Sequence, residues 1–250
     1  TEESVEALTR TQLLAFKEGC VTGKNGVLAV FGAVSASEVR RLIGELFAAM
    51  QPGKLLMTDP AAVAPLSAPV EVVAHENKQQ AVLMAGFQGT DALNPDRVAL
   101  ELIDTASSDM ASRFFHRIRE ELGLAYFVGA AQMMGFAPGI FTFYLGTDPA
   151  KVDVVRKNFD EEIAALAAEG LTEAELSRAK KKLIGSEAIR NQSLEAFAHV
   201  VAVDELYGLG AEHYAQRAAE INAVTQEQVR AVANKYFQHP HRATVLVMPA

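Results

Sequence analysis

Between Gln51 and Pro69 the chain carries Pro52, Gly53, Pro60, Pro65 and Pro69 with little charge, and this stretch constrains the fold more than any other. Proline fixes φ and removes an amide donor, so neither a regular helix nor a central strand runs through such a series of breaks. The stretch predicts a linker over 51–69, which separates a short segment, 1–50, from a longer one, 70–250. With 250 residues, half of them hydrophobic, the chain has ample apolar material for one or two cores. Its longest apolar runs, Val27 to Val34 and Phe197 to Val203, fall far short of the roughly 20 residues that a bilayer crossing takes, so no membrane span is expected. Lysine and arginine number 23 against 31 acidic residues, a net charge of −8, which disfavours nucleic acid as a partner. A lone Cys20 permits no internal disulfide. The chain opens on Thr1 without the basic, apolar and small-residue regions of a leader. It is expected to be processed or excised from a longer protein, and its compartment, cytoplasmic or periplasmic, is left open.

The periodicity of apolar residues assigns elements on either side of the linker. Before it, Ser4 to Lys17 reads as a short helix and Val27 to Phe31 as a strand. Ser35 with Glu38 forms a capping box for a second helix, whose Val39, Leu42, Ile43, Leu46 and Phe47 face a sheet. After it, Val70 to Ala74 and Gln80 to Phe87 read as strands, and Pro95 opens a helix with the stripe Val98, Leu102 and Ile103. A helix from about Met110 to Glu121 ends at Gly123. Leu124 to Ala131 and Ile140 to Leu145 then form an antiparallel hairpin around Pro138-Gly139. Pro149 starts a helix that ends at Gly170, and Thr172 with Glu175 caps a helical stretch that restarts at Ser193 and closes at Gly208 to Gly210. Thr225 with Gln228 caps a last helix, and Ala243 to Met248 is a final strand. The sum is an α+β fold, a largely antiparallel sheet with helices on one face, preceded by a helix-strand-helix remnant.

An internal similarity supports that remnant. Thr9-x-x-Gln12-Leu13 opens a helix, and after a polar turn Val27-Leu28-Ala29-Val30 runs to Phe31-Gly32. Thr225-x-x-Gln228-Val229 opens another, and Thr244-Val245-Leu246-Val247 runs to Met248-Pro249, a spacing of 216 residues from Thr9 to Thr225. Such a period suggests two lobes in a parent chain, with the tail of the first and all of the second present here.

Most chemistry-bearing residues read as ordinary structure. His75, His116, His199, His213, His239 and His241 form neither H-E-x-x-H nor H-x-x-E-H, although His116 and Glu120 share a helical face, so no metal is expected on this chain. Ser107, Ser108 and Ser112 lack a nucleophile elbow and read as loop and cap residues, and no glycine-rich phosphate loop follows a strand. The basic run Arg178 to Lys182 reads as a solvated helix face.

One segment differs, because polar groups crowd a helix-to-strand junction: Ser112-Arg113-Phe114-Phe115-His116-Arg117-Ile118-Arg119-Glu120-Glu121-Leu122-Gly123-Leu124-Ala125-Tyr126. It resembles the signature S-R-L-F-x-x-[IL]-R-E-x-x-G-L-A-Y of the second lobe of pitrilysin-type and processing-peptidase zinc metallopeptidases. The resemblance extends through Gly146-Thr147-Asp148-Pro149, Gly170 to Leu176, Ala179-Lys180 and Val224 to Val229, over roughly 70–250, and residues 9–50 look like the end of that family's first lobe. Two departures are visible. Thr105 to Met110 stands where the family usually has glycines, and Phe114-Phe115 replaces Leu-Phe.

The resemblance implies a division of labour. Zinc and the inverted H-x-x-E-H motif belong to another lobe or subunit of the complete assembly, and this chain binds no cofactor and is inactive alone. Its share by similarity is Arg119 and Tyr126, which in the family reach across a chamber to the substrate backbone. A guanidinium and a phenol are both donors to a peptide carbonyl, and the arginine can stabilise a tetrahedral oxyanion. Arg113 and Arg117 are the runner-up arginines. The implied partners are a peptide or unfolded polypeptide and a zinc-bearing lobe or subunit, in a homo- or heterodimer. The alternative is a purely structural or interaction subunit, as in family relatives that form the core of respiratory complexes.

Overall fold

In the computed structural model the described residues are 1–56, 64, 66–238 and 241–250. Pro60 and Pro65 of the expected linker, and His239, lie outside them. The helices in chain order are α1 (Glu2–Glu6), α2 (Arg10–Cys20), α3 (Ala36–Leu46), α4 (Arg97–Ser107), α5 (Val152–Glu169), α6 (Glu173–Arg190), α7 (Leu194–Tyr207), α8 (Arg217–Ala223) and α9 (Gln226–Tyr236). The strands are β1 (Val70–Glu76), β2 (Ala81–Gln88), β3 (Ala125–Met133), β4 (Ile140–Thr147) and β5 (Arg242–Pro249). Two compact units result, one of Thr1–Pro60 with Arg190–His213 and the other of Ala61–Ile189 with Tyr214–Ala250.

The second unit holds a five-stranded sheet in the order β1-β5-β2-β4-β3, antiparallel except where β1 runs parallel to β5. Alternation along β2 decides its faces. Ala81, Leu83, Ala85 and Phe87 are buried, whereas Met84 between them is 36% exposed. Phe141, Phe143 and Leu145 of β4 join the buried set, and α4, α5 and α9 cover it with Leu102, Ile103, Val155, Phe159, Val229 and Ala233. Phe143 is the hub: its ring lies 5.2 Å from Phe114, 5.0 Å from Phe141 and 5.1 Å from Phe237. The α+β class, the mostly antiparallel sheet and the helices on one face stand as the sequence predicts.

Helix boundaries follow the capping residues. Thr225 and Gln228 form the reciprocal cap of α9, with the Thr225 amide donating to Gln228 Oε1 at 2.8 Å. Gly170 ends α5 at φ +73°, where a Cβ would lie 2.8 Å from Arg230 Cα, so glycine is required on both counts.

The first unit departs from expectation in three places. Ser4 to Lys17 is two helices, because Thr9 and Gln12 form a capping box that starts α2 afresh. Ser35 does stand at the N-cap of α3 but makes no capping bond, since its hydroxyl is engaged with Ser37 Oγ at 2.7 Å. Val27 to Phe31 pairs with no strand among the described residues, and Leu28 is 58% exposed. A strand needs a partner to satisfy its amides, and the described part of this unit supplies helices. The described part of this unit therefore offers α3 no strand to pack on, and α3 buries none of its residues. The start of the linker is ordered: the Gly23 amide donates to Gln51 O at 2.9 Å and the Leu56 amide to Asn25 Oδ1 at 2.8 Å.

One-sided burial predicts an asymmetric response to truncation. Phe143→Ala is expected to cost about 3–5 kcal/mol, whereas Met84→Ala on the opposite face costs less than about 1 kcal/mol. Denaturant midpoints of the two variants measure the difference.

Candidate functional site

The junction from Ser112 to Tyr126 enters through a cap and leaves through a strand. Ser112 Oγ accepts the Phe115 amide at 3.1 Å, and Phe115–Glu121 then winds as a π-helix rather than the α-helix expected from Met110. The wider turn changes which side chains meet: His116 Nδ1 lies 3.2 Å from Glu121, five residues on, in place of the Glu120 that an α-helical face would present. The Gly123 turn, at φ +60°, is held by Thr147 Oγ1 donating to Leu124 O at 2.6 Å and Lys151 Nζ donating to Gly123 O at 3.2 Å.

Two buried side chains and two ion pairs lock this segment onto the core. Phe114 stacks on Phe143, and Ile118 is fully buried. Arg113 donates from Nε and Nη2 to the two oxygens of Glu175, at 2.9 and 2.6 Å, and from Nη2 to Gly170 O at 3.0 Å. Arg117 pairs with Glu162 at 3.1 Å. Of the three arginines in the segment, Arg119 is the one placed differently. It is exposed, as Arg117 is, but no carboxylate among the described residues pairs with it, and its guanidinium lies 4.8 Å from the centroid of the Phe115 ring. Tyr126, on β3, is 52% exposed. The segment therefore presents Arg119 and Tyr126 to solvent and uses the runner-up arginines as ties.

Two carboxyl groups complete the support, Glu175, which the sequence shows only as a cap, and Asp104, which it does not single out. Burial opposes the charge on Glu175, but the Arg113 bonds and the Thr172 amide outweigh it and hold its pKa below the ordinary value. Its oxygen also accepts the Thr172 amide at 2.8 Å, so the capping box read from sequence doubles as the arginine's anchor. Asp104 is the reverse case: burial raises its pKa despite a 3.0 Å bond from Ser108. Ser108 Oγ lies 2.7 Å from Ala130 O, so that its one proton is shared between that carbonyl and Asp104, and it accepts the Ala130 amide at 3.1 Å, tying the end of α4 to β3. The spacing of Asp104 and Ser108, four apart on a helix, was the available signal.

No group of three or more His, Cys, Asp or Glu among the described residues is placed to hold a metal ion. The histidines are engaged separately, His213 Nδ1 with Asp204 at 2.9 Å and His241 Nδ1 with Leu66 O at 2.6 Å. The donors among the described residues do not fit a zinc centre.

Comparison with known proteins follows the same lines. Residues 7–183 match the family model described as the peptidase M16 inactive domain. An uncharacterized zinc protease of Mycobacterium leprae is 31% identical over 257 residues, which cover 98% of this chain and 56% of the relative. The chain spans about half the length of the curated relatives it matches. Among solved structures, a peptidase M16 inactive domain from Pseudomonas fluorescens superposes with a TM-score of 0.89 at 24% identity, covering 99% of this chain and 59% of that one. A chain of complex III2 from Candida albicans gives 0.85 at 17% identity, over 99% of this chain and 60% of that one. The structural likenesses establish a shared fold.

The two carboxyl groups respond to pH with opposite signs. The contribution of Glu175 is present above the ordinary carboxyl pKa, near about pH 4, and lost as pH falls through its depressed folded value. Glu175→Gln is expected to cost about 3 kcal/mol at neutral pH, a deficit that shrinks in acid. Asp104 favours its neutral form, so its contribution is present below the ordinary pKa and lost as pH rises through the raised folded value. Asp104→Asn, whose oxygen still accepts from Ser108, raises the melting temperature more at pH 7 than at pH 4. Thermal melts across pH check both.

Proposed function

Because this chain belongs to the peptidase M16 family and matches its inactive domain, we propose that it is the substrate-holding lobe of a zinc metalloendopeptidase. It grips an extended peptide through main-chain contacts while a zinc site on another lobe or subunit performs the scission. The supporting observation is that Arg119, alone of the segment's three arginines, has no carboxylate partner among the described residues, while Tyr126 stands exposed at the start of β3. A guanidinium held over Phe115 has lost conformational freedom before substrate arrives, which lowers the entropic cost of binding a carbonyl. Neither residue transfers a proton; both donate hydrogen bonds, and the charge of Arg119 suits a developing oxyanion.

The zinc of the named relatives fits no donor set among the described residues, and in this reading it is held on another lobe or subunit. In the same reading, residues 1–50 are the end of a preceding lobe, 51–69 the linker and 70–250 the second lobe. The capping boxes formed alike at Thr9 and Thr225 support this repeat. The compact units differ from that division in taking Arg190–His213 with the first. A homo- or heterodimeric arrangement and a peptide or unfolded polypeptide substrate complete the proposal.

The test uses the complete assembly. Arg119→Ala is expected to lower kcat/KM for a peptide substrate by about a hundredfold and Tyr126→Phe by about tenfold, with zinc content and melting temperature unchanged. Unaltered kinetics in both folded variants would remove the assignment and favour a structural subunit.

A further inference from the structure

The opposite end of the sheet carries a feature that the peptide-holding reading does not use. A cleft of about 400 Å³ opens between α5 and α9 where β2 ends and β5 begins. Phe87, Ile163 and Phe237 give it apolar walls, Ala164 and Ala167 leave room along α5, and Asn234 and Gln238 add amides. Arg242 also lines it, and is 95% buried. Its Nε donates to Thr244 Oγ1 at 2.9 Å and its Nη1 to Asp160 Oδ1 at 2.6 Å. The remaining nitrogen, Nη2, is buried and has no hydrogen-bond partner among the described residues. A buried guanidinium group with an unused donor is a costly arrangement, which an acceptor oxygen would relieve.

The geometry points to a binding site for a small carboxylate with an apolar tail. Such a ligand matches each part: its carboxylate takes the unused N–H donor of Arg242, and its chain lies against Phe87, Ile163 and Phe237. Asp160 stands on another nitrogen of the guanidinium and retains a side-chain exposure of 39%, so water screens it from the incoming charge. Arg156 and Glu71, which pair at 2.7 Å, add one charge of each sign nearby, Arg156 acting on Asp160 and Glu71 on Arg242. Because Nη2 is itself buried, the ligand binds only when neighbouring side chains move to uncover it. The volume suits an aliphatic acid of about eight carbons.

Calorimetric titration of the 250-residue chain with octanoate and with octan-1-ol tests this. Octanoate is expected to bind with a Kd below about 1 mM and at least about tenfold more tightly than the alcohol. Because Arg242 is tied to Asp160 and Thr244, its removal risks the fold, and the diagnostic variant is Ala164→Trp, which plugs the cleft from an exposed helix position. Binding should weaken at least about tenfold with the melting temperature retained; Ala168→Trp, also exposed on the rim, serves if the first variant melts early. No octanoate binding, equal affinity for the alcohol, or undiminished binding to the folded plugged variant would overturn the proposal.

Discussion

Burial of one face of the five-stranded sheet organises the second unit. The buried residues of β2 and β4 need an apolar cover, and α4, α5 and α9 provide it with stripes read at helical spacing. Once Phe143 is surrounded by Phe114, Phe141 and Phe237, the position of Phe114 is set, and with it the start of the junction that carries Arg119. Core packing and the candidate site are thus one construction. The same aromatic residue that fills the core also fixes where the polar segment leaves it.

Electrostatics divides the arginines of the junction into two roles. Arg113 and Arg117 find carboxylates on neighbouring helices; the Arg113–Glu175 pair is partly buried and costly to break, whereas Arg117 keeps an exposed side chain beside Glu162. Arg119 meets an aromatic face, which orients a cation without neutralising it. The π-helical winding contributes to this sorting, since it advances side chains by a different angle per residue than an α-helix does. A charge left unneutralised at the surface acts on a partner's carbonyl with its full field, whereas a carboxylate offsets much of the field of Arg113 and of Arg117.

Legibility in the sequence tracked the range of the interaction. Capping at Thr172 and Thr225, the hairpin at Pro138-Gly139 and the stop at Gly170 were readable because their bonds join residues a few positions apart. The Arg113–Glu175 tie joins residues 62 positions apart, and nothing local announces it. Val27 to Phe31 failed as a strand for a related reason: an apolar run encodes the capacity to pair, and pairing depends on what the rest of the chain brings alongside. Ser35 was readable as a cap position but not as a capping bond, since Ser37 competes for its hydroxyl.

The amino-acid sequence by itself determined the α+β class, the order of elements and the family, because periodicity, capping chemistry and a dense motif are all written in nearby positions; Arg119 and Tyr126 are proposed from that motif's resemblance. Tertiary structure alone decided which arginines are tied and which is presented, the raised and lowered carboxyl pKa values, and the unused donor of Arg242 in its cleft. Those outcomes depend on desolvation and on partners from distant segments, and both exist only once the chain has closed on itself.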